Sequence, residues 1–182
     1  SHEVPIPYLN KSREFNDYCY CLPHLLDESE EYKDYFQKSK ERGRYIIMDN
    51  SLHELGQPYD SKRLWYWMNY FKPDEFIVPD YWQDKTKTLV TAKEWINKKY
   101  PEETTPLAVV QADCKSDAFE CYQILKMQGY KKIAFSYGAD WYYKEGLKST
   151  PNNSNKFITK AHGRYNTIKD FYQKRLIGKG DR

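Results

Sequence analysis

Four residues with acid–base or hydrogen-bonding side chains recur at the ends of short apolar runs. Asp49 follows Arg44–Met48, Asp80 follows Glu75–Val78 across Pro79, Gln111 follows Leu107–Val110, and Ser136 follows Lys132–Phe135. Two carboxylates and an amide in such a series suit cleavage at an anomeric carbon. Breaking an N-glycosidic bond passes through an oxocarbenium-like sugar, which a carboxylate beneath the carbon stabilises or traps. A second acid or donor assists the departing base. Gln111 offers both a donor and an acceptor to a base edge, and Tyr81, Trp82 and Tyr137 could stack on an extruded base. Taken singly, each is a common cap, turn residue or aromatic. Their recurrence at the same place in successive units is what points to a site.

Other chemistries find less support. His53-Glu54 lacks the second histidine of a zinc-protease HExxH, and the glycines form neither a P-loop nor a dinucleotide fingerprint. His24 and His162 have no identifiable partners in the sequence. Cys19, Cys21, Cys114 and Cys121 make no CxxC pair, so no metal site is expected and reduced thiols are the default. Cys19 and Cys21 are expected on opposite faces of their strand rather than in a shared clasp.

The elements that position these residues alternate. Strands are expected at Tyr18–Leu22, Arg44–Met48, Glu75–Val78, Leu107–Val110 and Lys132–Phe135. Helices are expected at Glu30–Arg42, Ser61–Phe71 (capped by Ser61), Asp84–Tyr100 and Ser116–Met127 (capped by Ser116 and stopped by Gly129). After a polar loop at Asn152–Asn155, a basic helix is expected at Asn166–Ile177. Apolar β-runs separated by helices of crossover length imply an α/β fold with a parallel sheet covered on both faces. In such folds the carboxyl ends of the strands form the active face.

The chain has 182 residues, enough for one domain with a sizeable core. A complete (β/α)₈ barrel needs roughly 250, so a barrel here would be trimmed or incomplete. No apolar run approaches the ~20 residues that span a bilayer. The amino terminus shows no basic and apolar leader pattern, so a cytoplasmic location without a membrane partner is expected. Net charge is +3 but unevenly spread: residues 141–182 hold ten Lys or Arg against three Asp or Glu. A basic C-terminal segment on a mildly acidic body suits contact with phosphates. A solvated lysine-rich helix and tail accounts for the charge alone equally well.

The run Met48-Asp49-Asn50-Ser51-Leu52-His53-Glu54-Leu55-Gly56, then Val78-Pro79-Asp80, then Val109-Val110-Gln111-Ala112, resembles the tRNA-guanine transglycosylase superfamily. It is most similar to the bacterial and phage branch of deazapurine DNA-modification proteins. The resemblance runs from about Tyr18 to Gly138. It implies a parallel (β/α) TIM-barrel-like fold over 1–182 and a DNA transglycosylase or DNA glycosylase that exchanges or removes a nucleobase. By the same resemblance Asp49 works beside the scissile bond and Asp80 hydrogen-bonds the base edge. Gln111 holds the base's carbonyl side, with Asn50, Ser51, Ser136, Tyr137 and Gly138 lining the base pocket. Two departures stand out: the zinc site of the tRNA enzymes has no counterpart here, and no later-strand nucleophilic aspartate is found.

The expected partner is nucleic acid, DNA ahead of tRNA, with a free nucleobase as co-substrate where bases are exchanged. Lys156, Lys160, Arg164, Lys174 and Arg175 are the candidate backbone contacts, Lys169 lies among them, and Phe157 and Tyr165 are interleaved for stacking. No cofactor and no metal are expected. Two alternatives stand beside this one: a nucleic-acid-binding module on a degenerate barrel, and a tRNA- or nucleoside-directed glycosyl enzyme.

Overall fold

Five short runs rich in aromatic and β-branched residues form the strands of the computed structural model, which describes residues 4–12, 16–151 and 154–178. They are β1 (Tyr18–Cys21), β2 (Tyr45–Met48), β3 (Glu75–Ile77), β4 (Thr105–Val110) and β5 (Lys132–Phe135). Every pairing is parallel and the order is sequential, β1-β2-β3-β4-β5. β1 and β5 are free edges, so among the described residues the sheet is open and no closed barrel forms.

The helices are α1 (Leu9–Ser12), α2 (Pro23–Glu28), α3 (Glu30–Glu41), α4 (Leu52–Leu55), α5 (Ser61–Phe71), α6 (Lys85–Ile96), α7 (Lys115–Gln128), α8 (Trp141–Gly146) and α9 (Lys156–Gln173). No helix among the described residues is long and apolar enough to cross a membrane. The basic helix starts ten residues before its expected start, with Asn155 capping it by accepting from the Phe157 N–H. Asn152 and Asn153 of the expected loop lie outside the described residues. Asp60, not Ser61, caps α5, accepting from the N–H groups of Lys62 and Arg63. Cys114, not Ser116, stands at the α7 N-cap, without a side-chain bond to the helix backbone, whereas Gly129 stops α7 as expected, in the left-handed region at φ 101°.

Sequential order with right-handed crossovers sends the crossover helices to one face of a sheet. Burial follows that rule. Cys19, Cys21, Ile46, Met48, Phe76, Ala108 and Val110 pack into one core with Phe36, Leu64, Met68, Trp95 and Leu125 from the helices. The opposite face presents Tyr20, Ile47, Ile77, Leu107, Val109 and Ala134 to an open cavity. A sheet covered on both faces was the wrong expectation, because a sequential order leaves no helix to cross to the second face. The placement of Cys19 and Cys21 is corrected too. Residues two apart on a strand share a face, and both thiols are free and buried on the helix side.

The β5 edge is finished by α9, whose Phe171 stacks on Phe119 of α7 and meets Phe135 of β5 edge-on. α8 and α9 meet backbone to backbone. A Cβ at Gly163 would lie 1.8 Å from the Tyr142 carbonyl oxygen, and one at Gly146 would lie 1.8 Å from that of Thr159. Neither oxygen is the end of a flexible side chain, so the helices themselves would have to separate. Gly163→Ala should therefore lower the unfolding free energy by about 2–3 kcal/mol. Gly43→Ala, at φ 66° in open space, should cost only about 1 kcal/mol. Urea denaturation of both variants checks the order, and equal losses would contradict the close helix crossing.

Candidate active site

The carboxyl ends of β2, β3, β4 and β5 open on a cavity of about 850 Å³. Its walls carry Asp49, Asn50, Asp80, Gln111, Ser136, Tyr137 and Arg164 from the expected set, together with Tyr20, His53 and Trp82. Ser51, Gly138, Lys156, Lys160, Lys174 and Arg175 are not among the lining residues.

Asp80 lies at the centre of the polar cluster and is 3% exposed. The Asn50 Nδ2 donates to its Oδ1 (2.6 Å) and the Gln111 Nε2 to its Oδ2 (2.6 Å). Burial pushes this carboxyl above the ordinary range, and the two amide donors pull against that rise. Asn50 is fully committed: its Nδ2 also donates to the Val78 carbonyl (2.9 Å), and its Oδ1 accepts from the Leu52 N–H (3.0 Å). The Gln111 Oε1 accepts from the Gln83 N–H (3.0 Å), and the Gln83 Oε1 accepts in turn from the Asp140 N–H (2.6 Å). A hydrogen-bond relay thus joins the ends of four strands and fixes which face Gln111 turns to the cavity.

Asp49 is the more open carboxylate, only partly buried against the cavity. Burial pushes it up to about 6, with the nearby Asp80 charge adding to the rise. The backbone N–H of Asn50, the Tyr20 hydroxyl and the backbone N–H of Ser51 oppose it. Ser51 adopts the left-handed conformation (φ 59°), rare for a residue with a Cβ. That turn brings the Ser51 N–H to 3.3 Å from the Asp49 Oδ2. Its own side chain is fully buried, sharing a 2.8 Å hydrogen bond with the His24 Nδ1. Ser51 therefore shapes the loop from behind, and His24 holds Ser51.

Trp82 and Tyr137 stand at the rim, 40% and 72% exposed. The Trp82 ring lies beside the loop, 3.4 Å from where a Cβ at Gly138 would be, an ordinary contact distance. The carbonyls of Tyr137 and Gly138 are engaged from α9, by the Arg164 guanidinium (3.0 Å) and the Lys160 Nζ (2.7 Å). Lys160 also pairs with Asp140 (2.7 Å). Lys156 starts α9, whereas Lys174, 4.0 Å over the Phe119 ring, and Arg175 lie beyond its other end. The five expected backbone contacts are thus spread along the helix rather than gathered.

Tyr20, Gln83 and His24 are the residues that sequence reasoning missed. Tyr20 carried a weak signal, since it lies inside β1, level with Ile47 of β2, on the face that turns to the cavity. Gln83 and His24 carried none, because their roles depend on a left-handed turn at Gln83 (φ 53°) and on a contact 27 residues away.

An unfolded aspartate ionises near 4, whereas Asp49 does so at about 6. The folded state binds this proton more tightly, so its contribution to stability is full below about pH 4 and falls as pH rises to about 6. Above pH 6 the loss is constant. Asp49→Asn should thus be more stable than the parent at pH 7.5 by about 1–3 kcal/mol, with the advantage vanishing towards pH 4. Paired urea titrations across that range check it; a variant less stable at pH 7.5 would refute the raised carboxyl. No family model, curated protein or solved structure matches the chain.

Proposed function

We propose that this chain cleaves the N-glycosidic bond of a nucleobase in DNA, by base exchange or base removal, on five units of a TIM-barrel-like fold. The observation that carries this reading is the convergence of Asp49, Asp80 and Gln111, from three consecutive strand ends, on one cavity. The Asp49, Pro79-Asp80 and Gln111 motifs of the transglycosylase superfamily support the reaction class. The basic α9 beside the mouth supports a polyanionic substrate.

Asp49, ionised above about pH 6, lies beneath the anomeric carbon and stabilises the cationic sugar. As the C1′–N bond breaks, its electron pair leaves with the base nitrogen, which takes up a proton. In removal a water oxygen bonds to C1′ and gives up a proton; in exchange the nitrogen of a second base takes that place. Asp80 orients Gln111, and the free N–H of the Gln111 amide meets an acceptor on the base edge. Trp82 and Tyr137 hold the extruded ring.

The competing reading is a DNA-binding module without chemistry. What favours it is the way Asp80, Asn50 and Gln111 satisfy one another, as a purely structural cluster would. The two separate on activity. DNA with modified or unmodified bases, incubated with the protein, should release base or gain abasic sites at a rate that rises with pH through about 6. Asp49→Asn should lower that rate by about two orders of magnitude or more and remove the pH limb, with an unchanged circular dichroism spectrum. Near-normal turnover in the folded variant would move catalysis elsewhere, and no turnover in either protein favours the module.

A further inference from the structure

One band of α9 has no role in the chemistry above. Phe157, Ala161, Tyr165, Ile168 and Tyr172 recur every three or four residues, which places them along one side of the helix. The opposite side, Thr159, Gly163, Thr167 and Phe171, is buried. The first band is open: Phe157 is 74%, Tyr165 64% and Tyr172 52% exposed.

The band is continuous with the cavity. Ile168 belongs to it and also lines the cavity, as does Arg164, its neighbour around the helix. The Arg164 guanidinium lies 4.9 Å from the centre of the Tyr137 ring at the rim. Aromatic surface therefore runs from the mouth over Tyr137 and along α9.

Positive charge borders the band on both sides. Arg164 and Lys160 lie towards the cavity, and the exposed Lys169 lies on the far side. The acid of α9, Asp170, is neutralised by an ion pair with Lys115. Flat apolar rings bordered by positive charge match a strand whose bases are unstacked and whose phosphates run alongside. A duplex keeps its base faces buried and offers nothing to the rings.

From this we propose that α9 is a stacking track for single-stranded DNA, receiving the unpaired nucleotides next to the base held in the cavity. The inference rests on the DNA reading above and narrows the substrate to a single-stranded or locally opened stretch. Phe157 to Tyr172 covers about 22 Å of helix at ~1.5 Å per residue, room for a few nucleotides.

Fluorescence anisotropy with a labelled single-stranded oligonucleotide, and with the same sequence as a duplex, tests the track. The single strand should bind the wild-type chain more tightly. Phe157→Ala with Tyr165→Ala should weaken single-strand binding by about tenfold or more, at an unchanged salt slope and thermal midpoint. Lys169→Ala should instead flatten the salt slope by roughly one unit. Single-strand binding by the ring variant as tight as that of the wild type, or a wild-type preference for the duplex, overturns the track while leaving the DNA reading intact. Sedimentation showing a wild-type dimer that the ring variant dissolves also overturns it, since a second copy then occupies the band. Failure of the wild-type chain to bind either form removes the DNA reading and the track together.

Discussion

A carboxylate at Asp80 can remain buried only because its two oxygens are each met by an amide hydrogen. Removing a charge from water without such donors costs several kcal/mol, so the positions of Asn50 and Gln111 are set by that demand. The consequence spreads through the strand ends. Asn50, bound to both Asp80 and the Val78 carbonyl, locks the end of β2 to that of β3. Gln111 locks β4 to the same group and passes the constraint through Gln83 to the loop after β5. Asp49 inherits its place from this lock, since its neighbour in sequence is the residue that β3 holds.

The one-sided sheet supplies the environment in which these groups act. With the helices on one face, the bare face becomes a trough graded along the strand axis. At the amino end Tyr45, Glu75 and Lys132 bond to one another, the Tyr45 hydroxyl donating to Glu75 at 2.5 Å. The middle is aliphatic, with Ile47, Ile77, Leu107, Val109 and Ala134. The carboxyl end holds the acids. Apolar walls beneath a carboxylate penalise its charge, and the same low polarity strengthens its attraction to a cation developing in front of it. The rise of Asp49 to about 6 and its suitability for a cationic sugar therefore have one cause.

Local chemistry made most of this legible, and its limits are equally physical. Apolar runs closed by Asp49, Asp80, Gln111 and Ser136 located four strand ends, because a parallel strand buried on its sheet face must be apolar and its end must turn. Five strands and their direction follow from such patterns. The number of covered faces does not, since strand order rather than strand composition decides it. Caps fared unevenly: Ser61 and Asp60 are both good caps, and the backbone chose the one whose carboxylate reaches two N–H groups. The early start of α9 was not legible locally, since Gly163 is unfavourable within an isolated helix. Tertiary packing explains it, since only glycine permits the contact with α8.

That contact also explains the uneven duties of the basic residues. Pressing α9 against α8 brings Lys160 and Arg164 to the Ser136–Gly138 loop, where they satisfy the carbonyls of Gly138 and Tyr137. A carbonyl bonded from behind cannot swing into the cavity, so the rim is held open at a fixed width. The charge used for this is partly neutralised, by Asp140 in the case of Lys160, and is less available to a phosphate. Affinity for a polymer at this edge must then come from groups the loop does not occupy. On α9 those are the outward rings and Lys169 on their far side.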